Sequence, residues 1–184
     1  GIFEATDNVS SAFEAVATSC VNDEIQEFTP DVAGGEWSSD CGACISNSGG
    51  FSPALAGIGG HTVTYTIPGA CGTTTSLPTT VYSLPDASFT TAPTSGCVPL
   101  FIELTAPTSA NAATCQWGLI DGSGGSQWME DCGDSFMVIE APGCYDVIHN
   151  VTDANGCTNS SLIQTAICGN EPPSSAFVYS PAHP

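Results

Sequence analysis

Two runs of strict alternation constrain the fold of this chain more than any other feature. In HTVTYTI, His61, Val63, Tyr65 and Ile67 fall on one face and Thr62, Thr64 and Thr66 on the other. In CYDVIHNVTD, Tyr145, Val147, His149 and Val151 share a face. Successive side chains of a strand point to opposite sides, so both runs read as half-buried antiparallel strands. Each closes on a turn signal, Pro68-Gly69 or Asp153-Ala154-Asn155-Gly156, and is followed by a cysteine and a second run. That is the pattern of a hairpin. No stretch combines helical periodicity with caps, and the expected class is all-β.

The same order of features occurs twice. Phe13 and Phe89 stand 76 residues apart, and Phe177 follows 88 residues later. Ser10-Ser11-Ala12-Phe13 returns verbatim as Ser174-Ser175-Ala176-Phe177, and Pro85, Phe89 and Pro93 are spaced as Pro173, Phe177 and Pro181. After each of the first two Phe residues comes Cys-Val (Cys20-Val21, Cys97-Val98), a lone Trp (Trp37, Trp117), a Gly-rich stretch and an alternating strand. Self-similarity on this scale marks tandem modules, and short strands with frequent turns suit β-sandwiches. The expected division is 1–9 as linker or the end of a preceding module, sandwiches at 10–84 and 85–170, and 171–184 as the first strand of a further module. Phe13, Phe89 and Phe177 would then mark the inter-module or inter-subunit strands. One account is a window on a tandem array. The other is a discrete subunit whose overhanging strand completes a neighbour's sheet by strand addition.

Trp117-Gly118-Leu119-Ile120-Asp121-Gly122 approximates W-x-F-G-D-G, and Gly143 through Asp153 approximates G-x-Y-x-V-x-L-x-V-x-D. On these motifs the second module resembles a PKD domain, an immunoglobulin-like β-sandwich; Leu119, Ile120, Cys144 and His149 depart from the pattern. GGEWSSDCGAC, FSPALAGIGGHTVTYTI and the following Cys71 make the first module similar to related Ig-like repeats of very large secreted Bacteroidetes surface proteins, of the gliding-motility adhesin type. The resemblance implies two tandem immunoglobulin/PKD-like sandwiches in a cell-surface filament, acting by spacing, polymer formation and adhesion. Its partners would be further copies or neighbouring repeats of the same protein, with surface glycans as a further target. A different reading is a non-catalytic spacer or carbohydrate-binding appendage of a secreted enzyme.

Charge narrows the function. There is no Lys or Arg against 19 acidic residues, a formal net charge of −19. Such a chain repels nucleic-acid phosphate and anionic lipid. With only protonated His as a side-chain cation, carboxylates must be hydrated, capped by backbone N–H or neutralised by metal. Oxygen-rich loops make calcium the metal to test: Asp121 in DGSGG, Glu130, Asp131 and Asp134 in MEDCGD, Asp153 and Asn155 in TDANG. No D-x-[DN]-x-[DN]-G loop is present, and no cofactor is required. Catalysis is not expected. His61 and His149 fall in the inward phase of core strands, His183 stands alone, and no nucleophile elbow, H-E-x-x-H or phosphate-cradling loop occurs. Asp23/Glu24 and Glu130/Asp131 read first as solvated loop acids.

Ten cysteines fit an oxidising, extracytoplasmic compartment, and no apolar run is long enough to read as a membrane-spanning helix. No signal-peptide pattern is visible, so the expectation is a secreted chain, mature or an internal piece. Hairpin symmetry pairs Cys144 with Cys168 about Gly156, and Cys115 with Cys132 about the DGSGG turn. Cys97 and Cys157 remain as a pair; by correspondence Cys20 pairs with Cys71, leaving Cys41 with Cys44. Each bridge would stabilise a small module by about 2–4 kcal/mol. Cys41-Gly-Ala-Cys44 lacks the βαβ context of a redox motif and the second C-x-x-C of a zinc site. Sequons stand at Asn8, Asn150 and Asn159. Trp128 has no core phase, so it is either an exposed contact or folded back over its own sandwich.

Overall fold

The computed structural model describes residues 10–69, 71–107 and 112–175. Asn8, Phe177 and His183 lie outside the described residues. Strand makes up 57% of the structure with almost no helix, which fixes the class as mostly β. Two compact units are present: residues up to Leu84 together with Asn155–Cys157, and Pro85–Ala154 together with the residues from Thr158 on.

The first unit contains β1 (Phe13–Glu14), β2 (Thr18–Cys20), β3 (Gln26–Glu27), β4 (Thr29–Pro30), β5 (Glu36–Ser39), β6 (Gly50–Phe51), β7 (Gly59–Ile67) and β8 (Thr73–Tyr82). Its main sheet runs β2-β8-β7-β5, with β1-β4 and β3-β6 as separate pairs. The β7–β8 hairpin arises from the Thr-rich alternation, and Gly69, at φ 126°, supplies a turn conformation that side chains disfavour. Pro78 sits within β8 at no cost to a second ladder, because β2 covers only Thr80–Tyr82. Val63 and Tyr65 are buried with Val81, Phe13, Phe28 and Phe51. The Tyr65 hydroxyl donates to Val32 O at 2.9 Å and accepts from Gly35 N at 2.7 Å, so the buried ring has its polar end satisfied. One turn of helix, α1 (Pro53–Ala56), departs from the helix-free expectation. Ser52 caps it and Pro53 opens it, but four residues are too short to show a period.

The second unit contains β9 (Thr90–Ala92), β10 (Ser95–Cys97), β11 (Leu100–Thr105), β12 (Ala112–Asp121), β13 (Ser126–Glu130), β14 (Ser135–Ile139), β15 (Gly143–Asp153) and β16 (Thr158–Asn170). A five-stranded sheet runs β10-β16-β15-β12-β13 and a three-stranded one β14-β11-β9. Both sheets contribute to one core: Ile102, Leu104 and Ile139 from the smaller, Trp117, Leu119, Val147 and Ile167 from the larger. Along β15 burial falls on Tyr145, Val147, His149, Val151 and Asp153. β16 carries an irregularity between the partners of Tyr145 and Val147. There Thr165 adopts φ 51°, and its N–H donates to Asp146 Oδ1 at 2.7 Å.

The units share internal features. In each, the Phe near its start meets a Trp edge-on: Phe13 on Trp37 at 4.9 Å and Phe89 on Trp117 at 5.3 Å between ring centroids. In each, a three-residue strand ending in Cys pairs parallel with a long late strand, β2 with β8 and β10 with β16.

Four disulfides join Cys41–Cys44, Cys115–Cys132, Cys144–Cys168 and Cys20–Cys157. The expected Cys20–Cys71 and Cys97–Cys157 bridges are not formed, for a reason visible in the registers. Cys20 lies beside Tyr82, whereas Cys71 sits in the turn before Thr73, so most of β8 separates them, roughly 30 Å at strand rise. Cys97 lies beside Asn170, whereas Cys157 precedes Thr158, so nearly the whole of β16 intervenes. Cys71 and Cys97 are exposed free thiols. Alkylation without reduction is therefore expected to add two labels per chain, on Cys71 and Cys97, as peptide mapping by mass spectrometry would show. A label on any other cysteine would contradict the pairing. Four bridges indicate an oxidising environment, and among the described residues no helix is long and apolar enough to cross a membrane.

Candidate functional site

The inward-phase histidines are structural in their surroundings. β12 and β15 place Trp117 directly opposite His149, and the rings stack at 3.9 Å with an 11° interplanar angle. His149 is 1% exposed. Its Nδ1–H donates to Ala87 O at 3.2 Å, while Nε2 is buried without a partner. Burial holds its imidazole below the ordinary value, against the smaller raising effects of the Ala87 bond and the Asp86 carboxylate. His61 has Nε2 at 2.9 Å from Gly57 O and Nδ1 at 3.5 Å from Asp40 Oδ1. Neither histidine has a hydroxyl or thiol among these partners. Asp40, Cys41 and His61 form the one group of three metal-type ligands among the described residues. Cys41 Sγ is committed to its disulfide, which leaves two ligands of that set.

The buried neutral His149 has a consequence for stability. The unfolded chain takes up a proton here near pH 6.5, and the folded chain only at lower pH. Stability therefore falls as pH drops below about 6.5, and the loss stops growing once the folded value is passed. Asp86, Asp121 and Asp131, held below their ordinary 3.8, stabilise above that value and lose their contribution only below it. The His149 loss therefore begins at higher pH than the carboxylate loss. Urea midpoints measured from pH 8 to pH 4.5 are expected to fall more steeply for the wild type than for His149→Phe. Equal slopes would contradict the assignment.

The calcium candidates are dispersed. Asp121 Oδ1 accepts from Ser123 Oγ, Ser123 N and Gly125 N at 2.7–2.8 Å, and the Ser123 hydroxyl is the main cause of its lowered pKa. Asp131 accepts from Gly133 N and Ser135 Oγ, both at 2.9 Å, and the Gly133 bond dominates its lowering. Glu130 and Asp134 add no further convergence: no three of these carboxylates gather among the described residues. Asp153 is buried at the end of β15, and Asn155 lies in the following turn. The DGSGG and MEDCGD loops thus cap Asp121 and Asp131 with their own donors, the behaviour of short polar side chains in turns.

Glu130, Asp131 and Asn150 do share a polar concavity of ≈ 560 Å³ beside the Cys115–Cys132 bridge. Asn150 Oδ1 accepts from Ser160 Oγ at 2.7 Å. Asn159 is half-buried and its Nδ2 donates to Pro85 O at 2.8 Å, so a sugar there would have to displace that bond. Trp128 combines both expectations: its ring lies over the site a Cβ on Gly118 would occupy, and it is still 47% exposed. Its Nε1–H donates to Ser126 Oγ at 3.1 Å. Phe101 and Phe136, each 67% exposed, went unnoticed in the sequence. The only available signal was the alternation of β11 and β14, which places both opposite the core phase. Comparison with known proteins finds no matching family model and no matching curated protein.

Proposed function

We propose that this chain is a non-enzymatic structural unit of an extracellular or cell-surface fibre. It is built from two tandem immunoglobulin/PKD-like sandwiches and acts by spacing, polymer formation and adhesion. The observation that carries the reading is the internal repetition: the Phe-on-Trp contact and the parallel Cys-ending strand recur in both units. Repetition of a module whose polar groups are spent on its own turns suits a spacer. The sandwich description draws support from the second unit, where two sheets feed one core. An extracellular setting is consistent with the four disulfides, and acidity favours dispersal of the material rather than binding to polyanions.

The test is the mass of native material in denaturant, with and without reductant, together with electron microscopy. Filaments with a regular repeat are expected. A mass well above 18.7 kDa that survives reduction identifies a covalent array, and a mass near it identifies a non-covalent polymer. Isolated globular particles of single-chain mass would overturn the fibre. A glycan-binding appendage is favoured only by the exposure of Trp128, and binding to a glycan array that Trp128→Ala abolishes would support it.

A further inference from the structure

Among the described residues, two strands of the second unit each have one unpaired edge, and the two edges bound a groove. β13 is the outermost strand of one sheet and β14 of the other, each five residues long. The concavity there, ≈ 570 Å³, is lined by Trp128, Met129, Phe136, Met137 and Val138, with the polar Gln127 and Glu140. Trp128 and Phe136 stand out from it, 47% and 67% exposed. An unpaired edge beside exposed aromatic surface suits an added strand, whose main chain pairs with the edge while alternate side chains enter the groove.

The chain carries a segment of matching chemistry. Residues 174–180, SSAFVYS, lie between Pro173 and Pro181, neither of which can donate a main-chain hydrogen bond. The seven residues between them cover a five-residue edge, and Ala176, Phe177, Val178 and Tyr179 make both faces of such a strand apolar. Residues 172–184 carry no acidic side chain. The segment can therefore approach Glu140 in the groove lining without like-charge repulsion. Its first four residues also repeat Ser10-Ser11-Ala12-Phe13, which lead into β1. There Phe13 is 7% exposed and packs edge-on against Trp37. In this structure the last residue of that tetrapeptide opens the two-residue strand β1 and is buried.

We propose that the groove between β13 and β14 receives residues 174–180 of a second copy of this chain as an added strand. The proposal rests on the fibre reading and names its contact. Two substitutions in the full, disulfide-intact chain test it. Phe136→Glu places a charge in the acceptor at an exposed position, and Phe177→Asp places one in the donor. Sedimentation velocity is expected to show wild-type assembly growing with concentration and loss of assembly in each variant alone. Mixing the two variants leaves one sound donor and one sound acceptor, so a species of two chains and nothing larger should form. Hydrogen exchange in β13 and β14 should slow in the assemblies and in the mixture. Wild-type assembly that survives both substitutions, or a mixture that stays single-chain, overturns the groove while the fibre seen by microscopy stands. Protection of β13 and β14 that needs Phe177 but not concentration means that the segment folds onto its own chain, and overturns the second copy. The absence of filaments from native material counts against the fibre reading itself, whatever the groove does.

Discussion

Trp117→Ala is expected to remove about 3–5 kcal/mol from the second unit, much of what a domain of this size has to lose. Trp117 is 0% exposed and packs against the His149 ring at 3.9 Å and the Phe89 ring at 5.3 Å, which also touch each other at 6.2 Å. Truncation opens a cavity that none of these neighbours can fill, because each is fixed on a strand of its own or beside one. Trp117→Phe should cost far less, within about 1 kcal/mol of the wild type, for a reason beyond volume. The Trp117 Nε1–H is buried with no partner, and burying an unpaired donor costs about 1–3 kcal/mol. Phe removes that penalty while keeping an aromatic face for Phe89 and His149. Urea unfolding followed by fluorescence separates the units, because Trp128 remains to report on the second and Trp37 on the first. The Trp37 transition should not move. A loss of several kcal/mol for Phe would mean that the orphaned N–H carries little cost, and equal losses for Ala and Phe would mean that the aromatic contacts of residue 117 carry none of the stability.

What could be read in the sequence was local, and what could not was a matter of register. Period-two alternation is a property of a few consecutive residues, so the buried faces of β7 and β15 were visible before any partner strand was known. Three disulfides were legible for the same reason, since each closes a hairpin or a short loop. The stacking of His149 on Trp117 was not, although the inward phase of His149 was. It depends on which residue of β12 faces which residue of β15, and alternation leaves that choice open. The parallel pairs β2–β8 and β10–β16 were hidden more deeply. Three-residue strands have no measurable period, and their partners lie more than sixty residues away in the chain. The acids of the DGSGG and MEDCGD loops were recognised as oxygen-rich, but their composition suits a metal and a self-capped turn equally. Only the geometry showed Asp121 and Asp131 occupied by their own loops.

Replacing Cys20 and Cys157 together by Ala is expected to cost the first unit about 4–5 kcal/mol, whereas replacing Cys71 and Cys97 should cost less than about 0.5 kcal/mol. The bridged residues are 137 apart in sequence. Cross-linking so long a loop removes more freedom from the unfolded chain than a short one does, on the chain-entropy account. Closing only the part that lies within residues 21–84 would still be worth about 4 kcal/mol on the same account. Cys41–Cys44, with a separation of three, has little unfolded freedom to remove and should matter least of the four. Cys71 and Cys97 are exposed and unbridged, so their loss removes neither a cross-link nor core packing. The two double substitutions distinguish this pairing from the one that hairpin symmetry suggests. Were Cys20 joined to Cys71 and Cys97 to Cys157, each double substitution would break the same two bridges and both would be equally costly. Denaturant midpoints of the first unit, read from Trp37, therefore decide the connectivity: unequal losses support Cys20–Cys157, and matched large losses refute it.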